Sequence, residues 1–512
     1  MPPRQRSLRM VAALRASLGR SWKLYDASVA YRESTVLVLG RDGKVRTLFL
    51  LGTGPRWARI TRLFRGTPGG EMAVGRKPVT VLAAPATREN AAALRLALGN
   101  LRPRPLGLTP AFGMGDRVGL ATPGHAAVAG ATAVLPLFAQ QSAREMSRTG
   151  RSPEDVLDDT VWGAFQAGYP GLFGADADHL KTEEDLVRCA NAGFTMFTID
   201  PGDHVANDAD TVPPGELRRR FDFLEDAEVL KGFYLGRTFD IGQARLAISF
   251  SEEGLARSAV KYTGAIQHAE RMYDRLQELR PGSFDFEVSV DETETPTSLA
   301  DHVFIASELA RREVAFTGLA PRLVGDFEKA ADYRGDLRIL RRELIGHAAI
   351  ARALGPYKLS IHSGSDKFSI YPLLGDVAGD LLHVKTAGTS WLEALRLVAR
   401  RNASLYRRIH ALALERFQTD RASYHLSTDL SVLPPLDVLA DGELESFLDE
   451  RNGRQLLHVT YGSVLNPHDA SGGSLREEVF DTLLRHEAEH HELVASHIEK
   501  HIRLLGMGNT RL

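Results

Sequence analysis

The chain has 512 residues, which is too long for one minimal domain and favours one large domain with an appendage. Its hydrophobic content of 43% and charged content of 25% are ordinary for a soluble globular protein, and a net charge of -2 gives no basis for a general affinity for nucleic acid or anionic membranes. Cys189 is the only cysteine, so an intrachain disulfide is excluded and a reducing, cytoplasmic location is expected. The longest strongly apolar stretch, around 131–139, is far too short to span a bilayer.

Residues 1–108 predict a small α+β domain. The basic segment 1–20 has no apolar run of the kind a secretory signal needs, and it predicts a first helix rather than an organellar presequence. Two apolar runs flank the turn sequence Gly40-Arg41-Asp42-Gly43 and predict a β-hairpin. The elements predicted here are strands at 34–39, 45–50 and 79–83 and a helix at 88–99.

From residue 109 onward, strands alternate with helices, which is typical of a parallel sheet with helices outside it. The predicted strands begin near Phe112, Leu172, Phe194, Phe284, Arg322, Lys358, Leu381 and Gln455. The predicted amphipathic helices are 153–167, 182–192, 297–314, 334–353 and 390–414. Eight strands favour an α/β fold of the (β/α)8 TIM-like barrel type over an open sheet. The catalytic barrel would then span 109–512, with an insertion over its mouth around 201–282 and a long charged helix at 475–505.

Several of these strands alternate apolar side chains with ionisable ones. In the segment 284–291, phenylalanine and valine fall on one face, while Asp285, Glu287, Ser289 and Asp291 fall on the other, because strand side chains alternate with period two. Barrel strands look like this when their inner face opens into an active site. The ionisable side chains predicted to meet at the inner mouth are Asp176, Asp178, Asp200, Glu287, Asp291, Asp326, Glu328, His362, His383, Lys385 and His458. The pattern leaves the direction of His179 open.

So many acids and imidazoles would be costly to bury without partners. A divalent cation would relieve their repulsion and would accept mixed histidine and carboxylate ligands. The alternative is a set of core ion pairs with Lys181, Lys367 and Lys385. The polar loop 362–367 and the segment 385–390, which leads into a helix, are both suited to binding an anionic group of a substrate.

One motif points to a different function. The sequence His486-Glu487-Ala488-Glu489-His490 matches the metalloprotease pattern H-E-x-x-H. It lies in a helix saturated with charge and follows no recognisable protease scaffold, so a solvated terminal helix is the better interpretation. The sequence contains no P-loop and no G-x-S-x-G nucleophile motif. It also contains no G-x-G-x-x-G dinucleotide fingerprint, and this absence disfavours chemistry by transient oxidation.

Five segments together resemble the tagaturonate epimerase family of sugar-acid enzymes. They are 174–181, 198–204, 286–293, 358–367 and 383–389, and the resemblance extends over residues 110–465 of the proposed barrel. The resemblance implies a barrel fold, interconversion of D-tagaturonate and D-fructuronate, and a divalent metal, whose identity stays open among zinc, manganese, nickel and iron. It implies an acid/base pair at Asp178 and Glu287. The metal ligands it implies are His179, one of the pair Asp326 and Glu328, with Glu328 preferred, and His362.

The chemistry of this conversion constrains the site independently. The two sugar acids differ at a hydroxyl-bearing carbon one removed from the carbon next to the ketone, so enolisation does not acidify its C–H. Retro-aldol cleavage with re-addition and metal-assisted proton removal both remain possible, and both need a Lewis acid and groups that move protons. Lys181, Lys367 and Lys385 are the predicted partners of the substrate. The alternatives are a metal-dependent aldolase or isomerase acting on another sugar or sugar acid, and a non-catalytic sugar-binding protein. The oligomeric state stays open.

Overall fold

The computed structural model describes residues 3–75, 77–242, 245–466 and 473–508. Its N-terminal part is an antiparallel sheet of six strands in the order β1-β3-β4-β6-β5, with β2 beside β3. These strands are β1 Trp22–Leu24, β2 Ala30–Arg32, β3 Thr35–Asp42, β4 Val45–Gly52, β5 Thr67–Val74 and β6 Lys77–Pro85. The accompanying helices are α1 Pro3–Ser17, α2 Gly54–Thr61 and α3 Arg88–Ala97.

The predicted hairpin of this domain is confirmed. Strands β3 and β4 pair from Val36 with Leu51 to Asp42 with Val45, and Gly43 in the turn has φ +56°, a value that glycine adopts without strain. The predicted first helix is also present, because Met10 and Val11 of α1 are buried in the apolar cluster on one face of the sheet.

Eight parallel strands close into a barrel with helices outside it, so the predicted (β/α)8 fold is confirmed. Pairing of β16 with β7 closes the ring. The strands after residue 108 are β7 Ala111–Met114, β8 Leu135–Ser142, β9 Gly174–Leu180, β10 Met196–Ile199, β11 Thr238–Ile241, β12 Leu246–Ser249, β13 Asp285–Val290, β14 Gly318–Pro321, β15 Lys358–Ile361 and β16 Leu382–Thr386. Of these, β11 and β12 form a separate antiparallel pair outside the barrel.

Several helices are capped by short polar side chains at the ends of the preceding loops. Capping boxes start three of them, at Ser142, Ser152 and Ser298. Each serine side chain accepts a hydrogen bond from the backbone N–H of an acidic residue three positions later, whose side chain accepts from the backbone N–H of the serine. The helices are α4 Thr122–Ala131, α5 Ala143–Thr149, α6 Pro153–Gln166, α7 Glu183–Ala192, α8 Pro214–Asp222, α9 Ala227–Tyr234, α10 Glu252–Leu279, α11 Leu299–Arg311, α12 Leu337–Leu354, α13 Tyr371–Ala378, α14 Thr389–Arg401, α15 Ala403–Asp420, α16 Arg451–Val459, α17 Tyr461–Leu465, α18 Gly473–Arg485 and α19 Glu487–Leu504. In the described ranges none of them is both long and apolar enough to cross a bilayer.

Two predicted barrel strands are wrong, and the barrel strands β8 and β14 were not predicted at the positions where they lie. The chain around Arg322 has already left β14, which ends at Pro321, and the positive φ of Gly325 breaks any further pleat. Asp326 in this loop is exposed and lies on the outer wall of the mouth, not at its inner end. The segment at Gln455 lies in α16, so His458 reaches the mouth from a helix rather than from a strand. Strand β8 completes the eight strands of the barrel. Its sequence begins with a continuous apolar run that contains a proline, so it shows no alternation of apolar and polar residues.

The predicted insertion lies elsewhere than expected. Of the described residues in this stretch, 201–210 reaches the rim of the mouth, where the Asn207 side chain accepts a hydrogen bond from Glu294 N. Helix α10 belongs to the outer ring between α7 and α11, and α8 and the β11–β12 pair lie against the outer helices. The C-terminal segment 421–466 covers the mouth instead, and Tyr424 from this segment lines the cavity.

The predicted terminal helix is two helices, α18 and α19, separated at His486. It is not a solvated helix, because Val494, Ile498 and Ile502 of α19 are fully buried and pack in one cluster with residues of α4 and α13.

Candidate active site

A buried network of charges centred on Lys385 lies at the C-terminal ends of the barrel strands. Its ammonium nitrogen is 2.8 Å from Asp176 Oδ2, 2.8 Å from Asp178 Oδ1 and 3.0 Å from Glu287 Oε1. Thr198 Oγ1 also accepts from Lys385 and donates to Asp176. Because one ammonium faces these carboxylates, the floor of the mouth keeps a negative charge that a further cation would stabilise.

Glu287 of strand β13 points into this network, as the alternation of residues 284–291 predicted. Phe286 and Val288 point outward into the apolar cluster between sheet and helices, while Glu287 points inward. On the neighbouring strand, Gly318 leaves room for it, since a Cβ at that position would lie 2.6 Å from Glu287 Oε2.

Two imidazoles lie above the carboxylates, on the cavity side. His179 Nδ1 is 2.9 Å from Asp178 Oδ1, and His362 Nε2 donates to Glu287 Oε1 at 2.8 Å. The two rings are 4.8 Å apart between centroids. His179 has φ +50°, which interrupts the pleat of β9 and explains why alternation could not give its direction.

Asp178, His179 and His362 could hold a metal ion, because their ligand atoms all lie within 4.8 Å of one another. His179 Nε2 is buried and has no hydrogen-bond partner within the described residues, and it lies 3.7 Å from Asp291 Oδ1. An unpartnered imidazole nitrogen among carboxylates is the donor that a divalent transition metal prefers, so the residues present fit such an ion.

The charges of the network set its protonation. Burial alone would raise the pKa of Asp178, but the positive charges of His179 and Lys385 outweigh it and hold that pKa well below its usual range. Burial would likewise raise the pKa of Glu287, and Lys385 with the hydrogen bonds of His362 and His383 reverses the shift. Both carboxyl groups are therefore ionised at neutral pH. Burial raises the pKa of Asp176 to about 6.

A cavity in two adjoining parts opens above the network. The outer part has a volume of about 460 Å³ and is lined by the loops after β13 and β14. The narrow inner part reaches Asp178, His179, His362 and Lys385. The residues that line both parts are Lys329, His362, Ser363 and Tyr424.

Glu328 stands apart from the two imidazoles, on the wall of the outer cavity. Its Oε1 accepts from the backbone and hydroxyl of Ser427, and its Oε2 lies 3.0 Å from the guanidinium of Arg451 and 2.8 Å from Gln455 Nε2. Burial alone would raise the pKa of Glu328, but these hydrogen bonds lower it to about 2. The carboxylate is thus ionised and fully engaged with the C-terminal segment.

The three lysines predicted to bind substrate all have partners within the protein. Lys367 Nζ donates to the backbone carbonyls of Glu328, Ala331 and Ser365, which uses its three donors. Lys181 lies at the rim with 43% of its side chain exposed, 2.9 Å from Asp203. Lys385 forms the centre of the acidic network.

Several residues of the site were not predicted. Gln140 of β8 donates to Asp178 Oδ2 at 2.8 Å. The signal that could have identified Gln140 is the change from apolar to polar residues at the end of β8, which marks the end of a strand. Lys329 and Tyr424 lie in irregular segments, which carry no regular hydrophobic pattern. Arg117, which also lines the inner part of the cavity, pairs with Glu145 at 2.6 Å.

Known proteins resemble this chain over nearly its whole length. A family model described as tagaturonate epimerase matches residues 25–505. A curated tagaturonate/fructuronate epimerase of Thermotoga maritima is 43% identical over 488 residues, which cover 95% of this chain and 98% of that protein. Crystal structures of the fructuronate-tagaturonate epimerase UxaE from Cohnella laeviribosi, native and in complex with glycerol, match with a TM-score of 0.89 at 38% identity, covering 98% of this chain and 99% of theirs.

Proposed function

The chain belongs to the tagaturonate epimerase family and is a carbohydrate epimerase, and from this premise we propose that it interconverts D-tagaturonate and D-fructuronate at the mouth of its barrel. The observation that carries the proposal is the arrangement of Asp178 between the imidazole of His179 and the ammonium of Lys385, at the floor of a cavity that opens to solvent.

The proposed activity depends on a divalent metal. His179 and His362 would supply the nitrogen donors, and Asp178 is the carboxylate that lies with them. When bound, such a metal supplies a Lewis acid for the ketone oxygen. Glu328, the ligand implied by the family resemblance, joins this set only if it releases Arg451 and Ser427.

Asp178 and Glu287, the proposed acid/base pair, differ in access to the cavity. Asp178 lines the inner part, whereas Glu287 is fully buried beneath Lys385 and lines neither part. Asp178 is therefore the group that exchanges a proton with a substrate hydroxyl. Glu287 acts on the reaction through its neighbours, since it holds His362 at 2.8 Å and Lys385 at 3.0 Å.

A single accessible base favours the retro-aldol route. Asp178 takes the proton of the hydroxyl on the inverting carbon, and the bond from this carbon to the carbon next to the ketone breaks. The electron pair of that bond stays with the ketone fragment, which becomes an enediolate, while the inverting carbon becomes an aldehyde. The aldehyde turns over, the same electron pair adds to its other face, and Asp178 returns the proton. Direct proton removal from carbon would need a proton-transfer group on each face, and only one member of the pair reaches the cavity.

The test is to incubate the purified protein with D-tagaturonate and to follow the sugars by carbon NMR. D-Fructuronate should appear, conversion should stop after chelation and washing, and it should return when a divalent metal is added. Accumulation of two three-carbon fragments would identify an aldolase instead. No conversion in either direction by the metal-loaded protein would contradict the proposal.

A further inference from the structure

A uronate carries a carboxylate that is ionised at neutral pH, and its selective recognition requires a cation in the cavity. This inference rests on the proposed function, which supplies the substrate class. The cationic side chains that line the two parts of the cavity, in the described part of the chain, are Arg117, Arg144, Arg322, Lys329 and Lys385.

Most of these cations are committed elsewhere. Lys385 is shared by the buried carboxylates, and Arg117 is bound to Glu145 at 2.6 Å. Arg144 lies over the ring of Tyr424, 4.9 Å from its centroid. Arg322 lines only the outer part of the cavity.

Lys329 differs from all of them in position and in partner. It lines both parts of the cavity, and its Nζ donates to Ser363 Oγ at 2.5 Å. No carboxylate of the described residues lies within ion-pair distance of this ammonium. Two of its three N–H donors are thus available to an acceptor from outside the protein.

The backbone around Lys329 is held firmly in place. Gln455 donates to the carbonyl of Lys329, Arg454 to that of Ala330, and Lys367 to that of Ala331. Its partner Ser363 follows His362 directly and has φ +51°, which turns the chain at the strand end. The ammonium and the hydroxyl are therefore positioned one residue away from an imidazole of the site.

We propose that Lys329, together with Ser363, binds the carboxylate of the uronate and makes the enzyme selective for sugar acids over neutral sugars. The carboxylate lies at the junction of the outer and inner cavities, which directs the reacting end of the substrate toward Asp178 and His179. Lysine acts here as a point charge with free donors, so arginine at this position should retain much of the selectivity.

The experiment compares the wild-type protein with Lys329→Met and Lys329→Arg, and uses Lys231→Met as the control. Lys231 is a lysine on α9 that pairs with Glu228 outside the barrel. Calorimetry gives the Kd of D-galactonate, a non-reacting sugar acid, and of galactitol, its neutral counterpart; kinetics give KM and kcat for D-tagaturonate.

Lys329→Met should weaken D-galactonate binding and raise KM by about tenfold or more, with little change in galactitol binding or kcat, because one charge-assisted contact is lost from bound and reacting substrate alike. Lys329→Arg should recover most of this loss, and Lys231→Met should match the wild type. Equal weakening of acid and alcohol, or no change in either, would overturn the proposal. A wild-type protein that fails to convert D-tagaturonate would refute the proposed function alone, since the acid-to-alcohol preference would still be measured.

Discussion

At the residue scale, the chemistry depends on how one ammonium divides its charge among several carboxylates. Lys385 neutralises Asp176, Asp178 and Glu287 only in part, so the histidines above them sit in a negative field. Burial alone would lower the pKa of His179, but Asp178 and Asp291 outweigh it and raise that pKa well above its usual range. A metal would take the place of the proton that this field attracts.

The identity of the carboxylate ligand can be decided by metal content. In the arrangement described, Asp178 stands beside the two imidazoles and Glu328 does not. Asp178→Asn should therefore lower the affinity for a divalent metal by about tenfold or more, while Glu328→Gln should keep it. Equilibrium dialysis of both variants measures this. Loss of metal from Glu328→Gln with retention in Asp178→Asn would show that the ion pair with Arg451 opens to complete the site.

The sequence predicted these residues unevenly, for a physical reason. Alternation along a strand reports the face of a side chain, so Asp178, Glu287 and His362 were found. It fails in loops: alternation assigned Glu328 to a strand and did not identify Lys329, and both lie in the irregular segment after β14. Alternation also does not reveal the hydrogen-bond partners of a side chain. Lys367 was therefore expected to bind substrate, although its ammonium is buried against three backbone carbonyls.

At the element scale, two C-terminal helices hold the loop that follows β15. Asp366 in this loop is 2.6 Å from the guanidinium of Arg454 on α16 and 2.6 Å from His497 Nε2 on α19. His501 Nε2 accepts the backbone N–H of Asp366 at 3.1 Å. Asp366, His497 and His501 have a spacing suited to a metal, but the guanidinium and the amide already occupy their ligand atoms. The cluster therefore positions the loop that carries His362 and Ser363.

Removing one of these contacts should affect the reaction without removing a reacting group. His497→Ala should lower kcat/KM about tenfold and destabilise the fold by about 1–3 kcal/mol, because Asp366 loses a buried partner. Steady-state kinetics and thermal unfolding measure the two effects, and His497→Gln should restore part of kcat/KM if hydrogen bonding is the cause.

His486→Ala is the matched control on the same part of the chain. His486 separates α18 from α19 and belongs to the H-E-x-x-H pattern. Its replacement should change neither metal content nor activity, since Glu487 of the pattern is bound to Lys23 and Tyr25. Loss of metal from this variant would support a metal site on the terminal helices instead.

The elements themselves were predicted where their hydrophobic pattern was regular. Strands β9, β10, β13, β15 and β16 and helices such as α6 and α7 begin close to their predicted positions. Strand β8 is apolar on both faces, as strands of a covered parallel sheet often are, and so showed no alternation. Helix α16 was taken for a strand because Leu457-His458-Val459 alternates over a segment too short to separate the two periods.

At the scale of the whole molecule, the N-terminal domain braces the barrel through α19. Glu487 at the start of that helix accepts from Lys23 at 2.6 Å and from Tyr25 at 2.8 Å, and Arg41 lies 3.4 Å away. The same helix carries His497, so the N-terminal domain supports the active-site loop from a distance. Sequence alone could not show this, because the contact joins residues more than four hundred positions apart.

This contact should make stability depend on pH. Burial alone would raise the pKa of Glu487, but Lys23, Tyr25 and Arg41 lower it from 4.5 to about 2. A carboxyl group with a depressed pKa in the folded state stabilises the protein above its unfolded pKa, and this stabilisation is lost as the pH falls from 4.5 toward 2. Glu487→Gln should therefore lower the free energy of unfolding by about 2 kcal/mol near neutral pH, and by progressively less as the pH falls from 4.5 toward 2. Urea unfolding of both proteins at several pH values measures the difference, and a difference independent of pH would contradict the assignment.

The central claim is that this barrel inverts one carbon of a hexuronate by opening and re-forming a carbon–carbon bond beside Asp178. The most direct measurement is the conversion of D-tagaturonate by the metal-loaded protein in deuterium oxide, followed by proton and deuterium NMR. We expect D-fructuronate that carries its original hydrogen at the inverted carbon, because the retro-aldol route breaks no C–H bond. Deuterium at that carbon would contradict the route, and the absence of D-fructuronate would contradict the function.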